Sequence, residues 1–518
     1  MSRNYDLDAA WKYHNGTKHS YLSLRAHPHF LDWENKPLLF KIYPTLEVTR
    51  LPKDFRPTAV PALSAIAALS ADTAAEATPD VDTLAQLLFF SAGVTKSKKY
   101  PDGEVFFRAA ACTGALYEIE LYIVCTDIPS HDLPDHHLAA GVYHFGVAEF
   151  GLRQLRAGDF RQALIDATGG DAAIAGAPLA IVCTGTYWRN AWKYRSRTYR
   201  HFGWDNGTIL ANLLAMSSAL NFSSRIISGF NDSQVNSLLD LDVKREVAFS
   251  LVSIGRTNSA PLTASPISAI ELPVVAYSKE EVDYPAMRQM HEASSLDSAE
   301  EVTAWHGKTP PHYLLAPRGT TTPLQSLNDS DIPADTIEEV ISRRGSTRRF
   351  SRDAITLPRL STILDRATHG IPADFLDSYG SHLNDLYLIV NNVEGLAAGA
   401  YAYDWSGKHL ELLKAGDFRD KAGYLGLEQE LAADAAVDVF FLADLKTILD
   451  RYGNRGYRAV QLEAGILGGK LYLAAYAQRL GASGLTFYDD DVVSFFSPHA
   501  KGKSAIFLVA LGRSAASK

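Results

Sequence analysis

The sequence predicts an α+β sheet sandwich built twice in tandem, and three observations carry that prediction. Three motifs recur in one register: Leu138 to Tyr143 (LAAGVY) returns as Leu396 to Tyr401 (LAAGAY), and Leu155 to Arg161 (LRAGDFR) returns as Leu413 to Arg419 (LKAGDFR). Tyr194 to Arg200 (YRSRTYR) returns as Tyr452 to Arg458 (YGNRGYR), again 258 positions on (143 to 401, 160 to 418, 194 to 452). A period this long means duplicated domains and excludes a solenoid. Each copy alternates helical stretches with short apolar strands. The chain, at 518 residues with 47% hydrophobic and 21% charged side chains, is long enough for two cores.

The elements follow in the same order in both copies. A helix is expected first (Val81 to Gly93; Pro358 to Gly370), then an apolar strand (Ile119 to Cys125; Leu386 to Val390). A Gly-x-Tyr strand, a turn and a second buried strand come next (Leu179 to Thr184; Val437 to Leu442). A long apolar helix (Thr208 to Leu220; Glu463 to Leu480) and a closing strand (Ala248 to Ile254; Ser504 to Leu511) complete each copy. The organisation is therefore an N-terminal extension (1–79), a first domain (80–257), a Pro/Ser/Thr-rich linker (258–333) and a second domain (334–518). Residues 1 to about 79 show no counterpart in the second copy.

Bulk charge narrows the partners. A net charge of −9 argues against nucleic acid, whose binding rests on clustered Lys and Arg. The apolar runs are strand-sized, so no membrane span is expected. Three cysteines (Cys112, Cys125, Cys183) and an N-terminus without an apolar core suggest reduced thiols in the cytoplasm.

Two segments carry candidate chemistry. Ser342 to Phe350 (SRRGSTRRF) packs four arginines around the hydroxyls of Ser346 and Thr347 beside a predicted helix. Guanidinium forks bind phosphate oxygens bidentately and hydroxyls add donors, so one loop can hold a phosphate monoester; the alternative is a solvated basic turn. Arg108 to Glu118 (RAAACTGALYE) is a run of mostly small residues before the first strand.

On these segments the sequence resembles the nitroreductase superfamily. The cationic loop is similar to the family's Arg-Arg-Ser-x-Arg, which grips the phosphate and ribityl chain of FMN; the matching positions are Arg343, Arg344, Ser346 and Arg348, with Gly345 a departure that blurs the register. The small-residue run resembles the Arg-Ala-Ala-Pro-Ser-Ala-Gly-Ala-Leu-Tyr-Pro segment of the SagB-type thiazoline/oxazoline dehydrogenase branch, as do Tyr13 to Ser20 (YHNGTKHS) and the Lys-Tyr-x-x-Arg-x-Tyr-Arg segment. The resemblance implies two nitroreductase-like α/β sandwich domains forming an intramolecular pseudo-dimer, a monomer in which both copies share one flavin site. The first copy has no arginine between Arg56 and Arg108, and the second has Asp377 to Asn384 where the ring-facing segment belongs. Each copy has thus lost the part the other keeps.

The resemblance further implies that Ala111, Cys112, Thr113 and Gly114 flank the ring, with Cys112 in place of serine. It places a backbone amide of Gly484–Leu485 toward the ring, and Arg513 within reach of the phosphate. Lys193 and Tyr194 match a pair that removes a substrate proton as hydride passes to flavin. A lysine does this only when burial or a nearby cation lowers its pKa. Tyr194 packing and Arg197 capping a helix start is the structural alternative, and Arg197 and Arg200 can equally pair with acids across the pseudo-dimer. His131 to His137 (HDLPDHH) lies in a Pro-broken loop and is not expected to bind metal, and Asp489 to Asp491 reads as an acidic helix start. Without a Gly-x-Gly-x-x-Gly after a strand, no separate nicotinamide domain is expected, though NAD(P)H can stack on flavin. Three readings stand at this point: an FMN-dependent dehydrogenase acting on a small or peptide-derived substrate, an NAD(P)H-driven nitro or quinone reductase, and a flavin-binding protein whose chemistry has decayed.

Overall fold

The computed structural model describes residues 2–26, 28–69, 76–100, 103–130, 137–262, 266–306, 309–310, 319–378 and 380–515. Most of the His131 to His137 run lies outside them. Two seven-stranded antiparallel sheets dominate. The first runs Thr49–Arg50, Gly151–Ala157, Gly141–Gly146, Ile119–Cys125, Leu179–Thr186, Glu246–Ile254, Ser224–Ile227. The second runs Thr321–Pro323, His409–Ala415, Gly399–Asp404, Asp385–Val390, Val437–Ala443, Ser504–Gly512, Gly481–Gly484, matching the first strand for strand. The inner strands are buried along their whole length, as in Ile119–Cys125 and Val437–Ala443, because helices cover both faces.

The N-terminal stretch does have counterparts in the second copy. Thr49–Arg50 flanks Gly151–Ala157 just as Thr321–Pro323 flanks His409–Ala415. The short helix Ala62–Ala67 stands opposite Ile337–Arg343, and the two starts exchange backbone bonds, Ala62 N to Asp335 O at 2.9 Å and Ile337 N to Val60 O at 3.2 Å. Elements of two or six residues are too short to show a period, which is why the repeat hid them.

Two long helices, Thr198–Ala219 and Arg455–Ala477, form the interface between the copies. Both begin earlier than the apolar pattern indicates, since their first turns are buried polar and aromatic residues. Nearly every residue along them is buried, so neither has a solvent face. Their backbones touch: a Cβ on Gly207 would lie 2.4 Å from the Gly465 and Ile466 backbone, and one on Gly465 would lie 2.5 Å from the carbonyls of Gly203 and Trp204. Gly207→Ala is therefore expected to lower stability. Alanine's helix propensity returns only about 1 kcal/mol, whereas overpacking a contact between two backbones costs about 1–3 kcal/mol or more; a urea unfolding midpoint checks the sign.

The start of each interface helix carries an arginine pair held by an aspartate of the other copy. Arg197 and Arg200 bond Asp489 at 3.0 and 2.7 Å; Arg455 and Arg458 bond Asp232, the latter at 2.6 Å. The Asp489 run opens the helix Asp489–Phe496 as expected, and its first carboxylate also joins the two copies. The helix Asp8–Gly16 docks beside these pairs through Ala10 N to Asn454 Oδ1 (3.1 Å), and the chain then turns toward the site described next. Among the described residues no helix is long and apolar enough to cross a membrane.

Candidate functional site

A cavity of about 1360 Å³ opens between the copies. The first copy supplies Phe107 to Ala115 and the stretch around Lys193 to Thr208; the second supplies Arg344 to Arg348 and Ser483 to Thr486. Residues Gly16 to His19, Ser23, Leu24 and His29 complete it from the N-terminal stretch. Asp205 is its only Asp or Glu among the described lining residues, against eight Lys and Arg, so the cavity is an attractive field for an anion.

The cationic loop follows a helix with a full capping box (Thr336 and Glu339) that ends at Arg343. Arg344, buried, donates Nε to Ala109 O (2.9 Å) and Nη2 to Arg108 O (2.8 Å), so it stitches the loop to the small-residue run of the other copy. Ser346 Oγ lies 3.4 Å from Tyr472 Oη. Arg348 is exposed in the cavity, and its guanidinium has no hydrogen-bond or ion-pair partner among the described residues. Arg343 points elsewhere, pairing with Asp335 at 2.7 Å and with Tyr476 O, because the helix end turns it to the opposite side. Arg513 donates to Ala354 O at 3.0 Å, and neither arginine lines the cavity. The register is thus Arg344, Gly345, Ser346, Thr347, Arg348.

On the opposite wall Ala111 O accepts from Thr208 Oγ1 at 2.6 Å. Gly114 sits at φ 65°, and a Cβ there would meet Tyr194 Oη at 2.8 Å, so both backbone angle and space demand glycine. Thr113 donates N and Oγ1 to Asp205 at 2.9 Å, and Cys112 Sγ lies 3.3 Å from Asp205 and 3.5 Å from Glu118. Burial, then Asp205 and Glu118, push the Cys112 thiol well up, which keeps it protonated and excludes a resting thiolate. Lys193 lies exposed on the rim and Tyr194 half-buried beside it, neither with a hydrogen-bond partner among the described residues. Partial burial, Arg348 and Lys36 lower the Lys193 pKa, while burial and the nearby acids raise that of Tyr194.

The expected free amide is shifted by one residue. Gly484 N donates to Tyr472 Oη and Leu485 N to Leu508 O, so both are used. Thr486 N has no acceptor among the described residues, and the buried Thr486 Oγ1 has no partner.

The mirror-related position shows what such an amide wants. Ser224 pairs with Ile254 as Gly481 pairs with Gly512, so Gly229 corresponds to Thr486. There the second copy's own chain fills the space: Ile226 exchanges bonds with Pro372 O (2.8 Å) and Asp374 N (3.0 Å), and the Asp374 carboxylate accepts from Gly229 N at 2.7 Å. Tyr452, mirror of Tyr194, donates to Phe375 O at 2.8 Å, and Arg451, mirror of Lys193, donates to His306 O at 3.0 Å. One half-site is open and the other is occupied by protein.

Sequence reasoning missed Asp205 and Thr486, while the Gly16 to His19 part of the wall falls within the Tyr13 to Ser20 segment that the resemblance singles out. Asp205 stands 258 positions before Glu463, which holds the amides of Leu383 and Asn384 at 2.9 and 2.8 Å in the second copy, so the repeat itself carried the signal.

The Nitroreductase family model matches residues 79–256 and 341–513. A nitroreductase-type protein of Methanocaldococcus jannaschii is 27% identical over 168 residues, 31% of this chain and 84% of that protein. A crystal structure assigned to the same class from Anabaena variabilis is 25% identical, covers 98% of this chain and 99% of that one, and superposes with a TM-score of 0.76. One from Ralstonia eutropha is 19% identical, covers 43% and 95%, and has a TM-score of 0.33. With both halves matched in turn, the chain belongs to the nitroreductase family, as an oxidoreductase with two copies of the family's domain.

Proposed function

We propose that the chain is an FMN-dependent dehydrogenase of the SagB type, with one flavin site per chain. One observation carries this reading: the Arg344 to Arg348 loop of one copy and the Ala111 to Gly114 run of the other face each other across a single open cavity. The residues fit the group. Arg348 offers a guanidinium that no described residue pairs with, and Ser346 a hydroxyl, to the phosphate, while Arg344 anchors the loop. Thr486 N, whose mirror holds a carboxylate, offers a donor to an acceptor on the ring edge. Flavin bound there would supply hydride exchange at N5.

The chain's own part is to orient and to handle a proton. Gly114 and its neighbours give a flat wall, and Lys193 Nζ and Tyr194 Oη stand at its edge without a hydrogen-bond partner among the described residues: Lys193, its pKa lowered, to take a proton from a substrate C–H or N–H, and Tyr194, kept protonated, to donate a hydrogen bond beside it. The SagB-type motifs at Arg108 to Tyr117 and Lys193 to Arg200 point to a small or peptide-derived substrate oxidised at a carbon–heteroatom bond.

The purified protein should be yellow with one FMN per chain. Arg348→Ala should weaken FMN binding tenfold or more, the order expected for a lost hydrogen bond to a charged group, read by quenching of flavin fluorescence. Anaerobic NADPH should leave the flavin oxidised; bleaching would identify a reductase. A colourless protein that fails to quench added FMN would end this reading.

A further inference from the structure

We propose that Asp205, sharing one proton with Glu118, is a positioning residue that sets the Cys112 to Gly114 wall, so that cofactor binding depends on the proton between the two carboxyls. The inference rests on the flavin reading above and goes beyond it to residues that no motif identifies. Four groups converge on this carboxylate: Thr113 N, Thr113 Oγ1, the Cys112 thiol and the Glu118 carboxyl. Tyr117 N closes the loop back on Cys112 Sγ at 3.0 Å. Both donors of Thr113 therefore end at one side chain of the interface helix, and the Cys112 thiol is shared between that side chain and Glu118.

The charge state follows from the geometry. Thr113 and Cys112 donate, so Asp205 must accept, as a carboxylate. Glu118 is fully buried, makes no ion pair among the described residues, leaves its Oε1 without a hydrogen-bond partner there, and has the Asp205 carboxylate as its carboxyl neighbour. Two adjacent buried carboxylates without a cation are unfavourable, so one proton stays between them and Glu118 donates it. Burial first, then Asp205, push the Glu118 carboxyl well above its ordinary value of 4.5.

The groups facing the pair are few. Cys112 and Thr113 approach from the wall segment and Tyr194 from the preceding helix, with Arg348 of the second copy acting on Tyr194 from farther off. Arg189 pairs with Glu120 instead, whereas the buried Arg108 guanidinium, bonded to Leu39 O, lines the small cavity that Cys112 and Asp205 also line and acts on Cys112. Among the described residues no cation forms an ion pair with either carboxyl to replace the proton when it leaves. Because the folded-state value is raised, the stabilisation is complete below about the ordinary carboxylate range and is lost as pH rises through the folded-state value. On the alkaline side the wall should loosen, and flavin with it.

The test uses the full-length protein and FMN. Wild-type affinity should fall as the pH is raised through the folded-state value of the pair, whereas Glu118→Gln, which keeps the donor and cannot ionise, should hold its affinity across the range. Asp205→Asn should bind FMN about tenfold or more weakly at neutral pH, in line with charged hydrogen bonds lost from the wall, with its melting temperature measured alongside. A second readout does not need flavin: Asp205→Asn removes the negative charge beside the thiol, so Cys112 should react several-fold faster with a disulfide reagent at fixed pH. Identical pH profiles for wild type and Glu118→Gln would overturn the proposal even if FMN binds normally, and so would unchanged Cys112 reactivity in Asp205→Asn. A metal ion retained after dialysis against a chelator would overturn it too, since the ion would then hold the carboxylates; their ligand atoms and Cys112 Sγ lie within 4.8 Å of one another. Failure of wild-type protein to bind FMN at any pH, with the thiol result intact, would instead count against the flavin reading alone.

Discussion

Replacing Asp489 by alanine is expected to destabilise the chain by about 3–5 kcal/mol, the cost of leaving buried charges uncompensated. The carboxylate is only 1% exposed and holds both Arg197 and Arg200, themselves 3% and 0% exposed, so the variant strands two guanidiniums where water cannot reach. Asp232→Ala should act alike through Arg455 and Arg458. The neighbouring Asp490, whose partner Lys18 is also near solvent, is the control: its loss should cost about 1 kcal/mol or less. Urea denaturation reads all three. Acid gives the same information with a definite sign. Burial alone would raise the Asp232 carboxyl, but Arg455 and Arg458 outweigh it and pull it down to about 2; Asp489 is likewise held far below its ordinary 3.8. A depressed folded-state value means that the stabilisation is complete above the ordinary value and disappears as pH falls toward the folded one. The interface should therefore begin to weaken below about pH 4, and these two carboxylates should be among the last to accept protons.

The same residues show what was legible in sequence. The duplication and the strands Ile119–Cys125 and Val437–Ala443 were readable because long apolar runs and fixed offsets survive without coordinates, and the meeting of the arginine loop with the small-residue run followed from the family resemblance of those two segments. The arginine register was not, since Arg343 and Arg344 are chemically equal and only the helix end decides which one faces the cavity. The interface helices were read short at their starts because burial there is by ion pairs and aromatics, which carry no apolar period. The sequence carries no signal for the role of Asp374, which appears only when its carboxylate is found on Gly229 N, at the place where Thr486 N has no acceptor among the described residues of the open half. Loss of an arginine loop from one copy was visible, but not that the protein itself had filled the vacated place.

That asymmetry makes the largest functional effects local to one copy. Lys193→Ala and Tyr194→Phe should each cut turnover about 10²–10⁴-fold, the usual contribution of a positioned acid or base, with flavin still bound, because neither side chain makes a hydrogen bond to the described residues in the way their mirrors do. Tyr452→Phe loses its bond to Phe375 O and should cost about 1 kcal/mol of stability with turnover unchanged. The pH profile separates a proton-handling Lys193 from a merely cationic one. Partial burial and Arg348 lower its pKa, so a basic Lys193 gives a rate that rises with pH through a value below that of a free lysine. Removing the Arg348 charge, at saturating FMN, should move that rising limb to higher pH. A lysine that only attracts an anionic substrate would give the opposite slope, with turnover falling as its proton leaves. A rising limb that shifts with Arg348 would tie the two walls of the cavity into one reacting site, since the residue that moves and the residue that moves it come from different copies.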